Sequence, residues 1–324
     1  MQHSARALLE RLVDYAGLFP PAALDLPTTV ANYADYRRED DAWMLGRLIV
    51  PAARLPEFGR LRRAVSEEEP WPLAVLLPPP ERWDGLERST ATQVGQVRES
   101  LADFADCARA DLFEQRLPEA PAARAEGLAA CAQALEEGLE AGAEIFFEAA
   151  FAPRDEGAIR EIEATVEAVA EVDARRSGSA ARSGRCGFKL RCGGVRAELY
   201  PGVEVVVAAL MACHRAGVVL KATAGLHHPV RHFRTDLQVY EHGFLNVFGG
   251  GVLLAAHDLD ASTLTAIVAE QEASAFAFDE RGFRWRELRA TTEQIIAARR
   301  ERVSSFGSCS FDEPREDLRD LGHL

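Results

Sequence analysis

"CGFKLRCGGVRAELYPGVEVVVAALMACHRAGVVLKAT" (186–223) decides the fold. It opens on a short apolar run, CGFKLRC (186–192), and turns at Gly193-Gly194. "VEVVVAALMACHRAG" (203–217) then places apolar residues at helical spacing and stops at Gly217. "VVLKAT" (218–223) follows at once as a second short run rich in β-branched residues. Strand, helix and strand in immediate succession predict a right-handed βαβ unit and a parallel sheet.

The same rhythm runs outward in both directions. Short apolar runs occur at 44–50 (MLGRLIV), 73–78 (LAVLLP), 112–117 (LFEQRL) and 144–149 (EIFFEA) before the unit, and at 244–249 (FLNVFG) and 275–278 (AFAF) after it. Patterns rich in Ala, Leu, Glu and Arg fill the gaps, as in 125–142 and 156–176. With the two runs of the opening unit this makes eight strands, starting 26 to 42 residues apart. Eight such units predict a single (β/α)8 TIM-type barrel. The alternative is a doubly wound open sheet, but no GxGxxG turn follows the first run, as a dinucleotide-binding sheet would require. The expected layout is one domain over 1–324: an N-terminal helix and lead-in at 1–43, the barrel at 44–303, and a C-terminal extension at 304–324. In "MQHSARALLERLVDY" Leu8, Leu9, Leu12 and Val13 share one face of the predicted helix.

Composition narrows the class. The 324 residues carry a net charge of −14, with 48% hydrophobic and 27% charged residues. A strongly acidic chain is a poor general partner for nucleic acid or for anionic membranes. No stretch reaches the roughly 18 continuous apolar residues of a membrane span, and the N-terminal segment lacks a signal peptide's apolar centre. The six cysteines show no paired CxxC spacing, which fits a reduced, cytoplasmic setting.

A barrel of this kind works at the C-terminal ends of its strands. Those ends hold Pro51 and Arg54, Pro78 to Pro80, Arg116 and Glu119, Glu148, Lys189 and Arg191, the segment from Lys221 to His232, and Asn246 with Gly249-Gly250-Gly251. Lys189 and Arg191 are two apart and point to one face of their strand. Facing inward, they need an anion, because an unpaired buried charge is very costly. Facing outward, they extend along the helices into solvent. Lys221 follows an apolar strand with other cations near it, conditions that lower a lysine's pKa and make it a nucleophile. Its structural alternative is an ion pair with Glu148 across the barrel.

"LKATAG" (221 within 220–225) resembles the lysine segment of Schiff-base (class I) aldolases of the deoxyribose-phosphate aldolase type. The resemblance implies a lysine on strand six that forms an imine and a second lysine on the following strand that tunes it. Lys221 would match the imine lysine, and Lys189 would take the tuning role. Two features depart from that pattern. Lys189 lies on the strand before Lys221, and "FLNVFGGG", read as strand seven, has no lysine.

His227-His228-Pro229 has no counterpart in that family. Pro229 holds His228 extended. The pair reads as acid/base groups or, with Glu148 and further donors such as His232 or His242, as metal ligands. Arg231 adds a cation to the same loop. Gly249, Gly250 and Gly251 read as an anion-contacting loop or as a tight turn. "DYAGLFPPA" (14–22) and "SSFGSCSFDEP" (304–314) read as straps or as subunit contacts in a homo-oligomer, the second also as a lid carrying Cys309 or Asp312. "PPPERWDG" (78–85) and "RRSGSAARSGR" (175–185) read as a stiff exit and a loop.

Three functional expectations follow. The first is a lyase-like barrel enzyme for a small anionic carbonyl substrate, without a cofactor. Lys221, His227, His228 and Glu148 would be catalytic, and Lys189, Arg191, Arg231, Asn246 and Gly249 to Gly251 would hold the anion. The second is a metal-dependent isomerase or hydrolase with Glu148, His227 and His228 as ligands to a divalent metal. The third is a non-catalytic barrel that binds an anion or a protein.

Overall fold

Eight parallel strands close into a barrel in the computed structural model, which describes residues 2–67, 69–79, 86–118, 124–138, 142–149, 157–177 and 184–324. Glu119 and the segments 80–85 and 178–183, which belong to stretches singled out above, lie outside the described residues. The barrel strands are β1 (Val13–Tyr15), β2 (Leu45–Pro51), β3 (Trp71–Leu77), β4 (Ala108–Arg116), β5 (Glu144–Glu148), β6 (Cys186–Arg191) and β7 (Val219–Thr223). Outside the barrel, β8 (His232–Arg234) and β9 (Val239–Glu241) form a hairpin, and β10 (Phe276–Asp279), β11 (Gly282–Trp285) and β12 (Leu288–Ala290) form an antiparallel sheet. The eighth barrel strand is β13 (Val303–Ser308), which pairs with β7 on one side and with β1 on the other, closing the ring.

The helices are α1 (His3–Leu9), α2 (Leu26–Tyr36), α3 (Leu55–Arg63), α4 (Leu86–Ala102), α5 (Arg124–Gly138), α6 (Ala158–Ser177), α7 (Val203–Ala216), α8 (Gly250–His257), α9 (Ala261–Ala269), α10 (Thr292–Glu301) and α11 (Asp312–Asp320). Local chemistry sets several ends. Asp25 caps α2 by accepting from Thr28 N at 2.8 Å, and Thr291 and Gln294 form a reciprocal capping box on α10. Gly217 ends α7 at φ 69°, a left-handed position suited to glycine. The stretch 197–216 is long and apolar enough to cross a membrane by composition, and half of it is buried inside the protein.

The expected barrel class holds, with four differences in how the chain builds it. The N-terminal helix stops at Leu9, Arg11 turns the chain at φ 49°, and Val13–Tyr15 becomes the first barrel strand. The run 244–249 is no strand. Leu245–Gly249 is a π-helical turn that leads directly into α8, with every one of its residues buried. A fully buried apolar run of six carries no alternation to separate strand from helix. The run 275–278 supplies β10, a strand outside the barrel. Finally, 303–308 is a barrel strand and not the start of an extension, so the barrel reaches from Val13 to Ser308.

These changes renumber the strands. Lys189 is on the sixth barrel strand and Lys221 on the seventh. Beneath them the barrel floor is apolar. Leu112, Phe146 and Val219 pack with Ile49 and Ala74 in their own cluster, each of the first three standing two residues before a charged inward residue. Gly187 makes room for this floor. A Cβ there would lie 2.3 Å from the Phe146 ring.

Candidate active site

Above the apolar floor lies a chain of alternating charges. Register aligns Glu148 with Lys189 and Lys189 with Lys221, so these side chains share the inner face. Lys221 Nζ donates to Asp14 of β1 and, at 2.8 Å, to Ser305 Oγ of β13. It lies 3.6 Å from Glu114 Oε1 of β4. Lys189 Nζ contacts the other Glu114 oxygen at 2.6 Å and Glu148 Oε2 at 3.0 Å. Arg191 closes the series on Glu148 Oε1 through Nε at 3.0 Å and a second guanidinium nitrogen at 2.9 Å. Asp14 also accepts from Arg47 N and Ser305 Oγ, each at 2.7 Å.

Three carboxylates therefore face three cations, and all of these groups but Arg191 are buried. Alternation is what makes such a burial tolerable, since each charge has an opposite partner at contact distance. Burial pushes the Glu148 carboxyl up, but Lys189 and Arg191 outweigh it and bring it down to about 2. Burial pulls Lys189 down, yet Glu114 and Glu148 hold it above the ordinary lysine range. Asp14 follows Glu148: burial raises it, and Lys221 with Arg47 brings it below the usual carboxylate range.

A cavity of about 300 Å³ opens over this network at the C-terminal end of the strands. Lys189, Arg191, Glu114 and Glu148 line it, and so do Arg116, Arg234, His227 and Cys309. Lys221 does not line it and is wholly buried below. Glu114 Oε1 is buried without a hydrogen-bond partner among the described residues, and its nearest cation is the Lys221 ammonium at 3.6 Å. Phe19, Pro20 and Pro21 wall the opposite side, so the 14–22 stretch supplies both a strap at the mouth and, through Asp14, part of the charge network.

The loop after β7 is sharply coiled. Ala224, Gly225 and Leu226 are all left-handed, with φ of 58°, 64° and 61°. Two non-glycine residues in that region store strain. Gly225 sits against the loop after β6, where a Cβ at Gly193 would lie 3.0 Å from Gly225 Cα. The turn aims His227 and His228 at α11. His227 Nδ1 is 2.8 Å from Glu313 Oε2 and His228 Nδ1 is 2.5 Å from Asp317 Oδ2, carboxylates one helical turn apart. His227 Nε2 lies 3.9 Å from Cys309 Sγ. Burial pulls His227 down, but Cys309 and Glu313 outweigh it and raise the ring to about 10.

Several residues expected at the site stand elsewhere. Lys221 pairs with Asp14, Ser305 and Glu114, and it is Lys189 that holds Glu148. His228 faces α11 and stacks edge-on with His232, outside the cavity. Arg231 lies over the Tyr240 ring at 3.9 Å. Asn246 is fully buried and ties the turn together, accepting from Arg231 N and donating to Ile267 O and Glu270 O at 2.8 to 2.9 Å. Gly249, Gly250 and Gly251 form helix and not a loop, because close packing needs their missing side chains. A Cβ at Gly249 would meet Phe283 at 2.5 Å, and one at Gly251 would meet Val303 at 2.6 Å. The alternative metal set is not assembled. Glu148 is taken by Lys189 and Arg191, the two histidines point to separate carboxylates, and no group of three or more metal-ligating residues occurs among the described residues. His242 is buried with Nε2 2.9 Å from Pro201 O, and burial lowers it to about 4.

Other site residues gave little signal in sequence. Asp14 was hidden inside a helical pattern, and Ser305 inside a polar segment. Glu114 sits in "LFEQRL", where period-two alternation from Leu112 would have placed it inward. Tyr200 and Arg234 meet at the cavity rim at 2.8 Å, with buried Glu241 holding Arg234 at 3.2 Å.

A scan against protein-family models finds no match, and a search of curated proteins finds none either. A search of solved structures finds similarity to a chain described as "a putative deoxyribose-phosphate aldolase from Toxoplasma gondii ME49", at 12% identity and a TM-score of 0.38, covering 99% of this chain and 93% of that one.

Proposed function

We propose that this chain is a barrel enzyme that acts on a small anionic carbonyl compound, and that Lys189 is the amine that attacks it. The observation that carries the reading is the lysine pair. Lys189 and Lys221 are register partners on adjacent strands and share Glu114, yet only Lys189 reaches the cavity. The aldolase resemblance called for an imine lysine on strand six and a tuning lysine on the next. With β1 counted, Lys189 and Lys221 occupy those strands, and the roles first given to them exchange.

The chemistry follows from the neighbours. Arg116, Arg191 and Arg234 give the mouth a positive bias that suits a carboxylate or phosphate. The Lys189 ammonium passes a proton to Glu114 Oε2, 2.6 Å away. The amine adds to the carbonyl carbon, and water leaves as the imine forms. The iminium then draws electrons from a neighbouring C–C bond, giving aldolase- or lyase-type cleavage or its reverse. This route uses the chain's own groups and calls for no metal or cofactor.

A second reading treats the paired charges as structural and the cavity as an anion-binding site without catalysis. It is favoured by the absence of an unpaired lysine in the network. Borohydride reduction in the presence of small carboxylated and phosphorylated aldehydes and ketones, followed by peptide mapping, separates the two. An adduct on Lys189 is expected. An adduct on Lys221 would reverse the assignment, and none on either lysine, with anion binding intact, would leave the binder.

A further inference from the structure

We propose that Cys309, His227 and Glu313 form a second reactive centre in the same cavity, in which the Cys309 sulfur adds reversibly to the carbonyl of a small anionic aldehyde. The proposal takes its carbonyl ligand from the function proposed above, but the reactivity of the thiol does not depend on Lys189.

Three elements converge to build it. Cys309 is the first residue after β13, His227 comes from the coiled turn after β7, and Glu313 from the first turn of α11. Nucleophile, base and orienting carboxylate stand in the order that activates a thiol: sulfur to Nε2 at 3.9 Å, and Nδ1 to carboxylate at 2.8 Å. With one contact on each ring nitrogen, the imidazole plane is fixed. Cys309 and His227 both line the cavity that Lys189 and Arg191 line. The other five cysteines do not line it, and burial pushes the thiols of Cys131 and Cys192 up to about 11 and 12.

The step balances within these groups. His227 Nε2 takes the proton from Sγ as the sulfur attacks, and Glu313 at Nδ1 balances the charge on the ring. The sulfur lone pair forms the S–C bond, the carbonyl π pair moves to oxygen, and Nε2 returns its proton to that oxygen. The product is a hemithioacetal, with no oxidant or reductant involved. The arginines at the mouth select for a negatively charged aldehyde.

Alkylation kinetics with peptide mapping test the relay. Cys309 is expected to be the first of the six cysteines labelled at pH 7, and iodoacetate should outpace iodoacetamide once both rates are divided by those of free glutathione. His227→Gln should slow the labelling roughly tenfold or more, and Glu313→Gln by a smaller factor. His228→Gln, which releases the neighbouring tie to α11 without touching the cavity, should stay within about twofold of wild type, so a general loosening of that helix is told apart from loss of the base. Glyoxylate labelled with carbon-13 at its aldehyde carbon should show a hemithioacetal resonance that Cys309→Ser removes. The proposal is overturned if Cys309 is labelled no faster than the others, if His227→Gln leaves the rate unchanged, or if the neutral reagent is preferred. An imine trapped on Lys189 in Cys309→Ser, with no thiol adduct in wild type, would sink this proposal alone. A thiol adduct without any imine would sink the lysine assignment alone.

Discussion

Lys189 and Lys221 stand side by side on β6 and β7, bridged by the two oxygens of Glu114 at 2.6 Å and 3.6 Å, with one lysine at the cavity wall and the other sealed beneath it. The difference in depth divides their work. The upper amine reaches the cavity, while the lower one is fully buried.

Replacing the lower lysine should therefore cost stability before it costs chemistry. Lys221→Met strands Asp14 and Ser305 in a dry interior. Removing one partner of a buried pair destabilises by about 3–5 kcal/mol. Urea denaturation should show that loss, while borohydride trapping on Lys189 persists at a reduced rate. Full stability in the variant would contradict the network drawn here.

Acid should act through Glu148. Its folded value of about 2 lies below its ordinary 4.5, so its contribution is complete above about pH 5 and is lost as pH falls toward 2. The shift corresponds to about 3 kcal/mol. Glu148→Gln should be less stable than wild type at neutral pH, and the gap should close below pH 3 in denaturation curves. Lys189 has the opposite sign. Its raised value gives stability present at neutral pH and lost in strong alkali.

His227 sets a window in between. Held up to about 10, it contributes stability that is complete below about pH 6.5 and fades as pH climbs to 10. Hydrogen exchange of α11, corrected for intrinsic rates, should quicken across that window. In His227→Gln the pH dependence should flatten. A profile equally steep in the variant would place the transition elsewhere.

Asn246→Leu should weaken the fold and leave the ligand alone. The substitution removes hydrogen bonds that hold the π-helical turn, and a buried loss of this kind costs about 1–3 kcal/mol per unsatisfied group. Calorimetric titration with an anionic ligand should give an unchanged affinity. A marked loss of affinity would return Asn246 to the binding site.

The interior of the barrel was legible where hydrophobic patterning speaks. The runs 44–50, 73–78, 112–117, 144–149, 186–192 and 218–223 are all barrel strands. The seam was not legible, for physical reasons. Val13–Tyr15 is three residues long and follows a helical pattern. "VSSFGS" is polar because Ser305 faces the charge network and not an apolar core. Missing the first strand shifted the count by one and numbered Lys221 on strand six, when it stands on the seventh barrel strand. His227 was singled out as unexplained, and its partners could not be read, because Cys309 and Glu313 lie 82 and 86 residues away.

The seam also dates the birth of the site. Ser305 and Asp14 are 291 positions apart and meet over Lys221 only when β13 docks between β1 and β7. A ribosome must deliver nearly all of these residues before Lys221 gains its Ser305 partner, and Cys309 emerges later still. Unfinished translation products and fragments clipped ahead of β13 thus lack both Ser305 and Cys309. The partners of Lys221 are complete only when the ring closes.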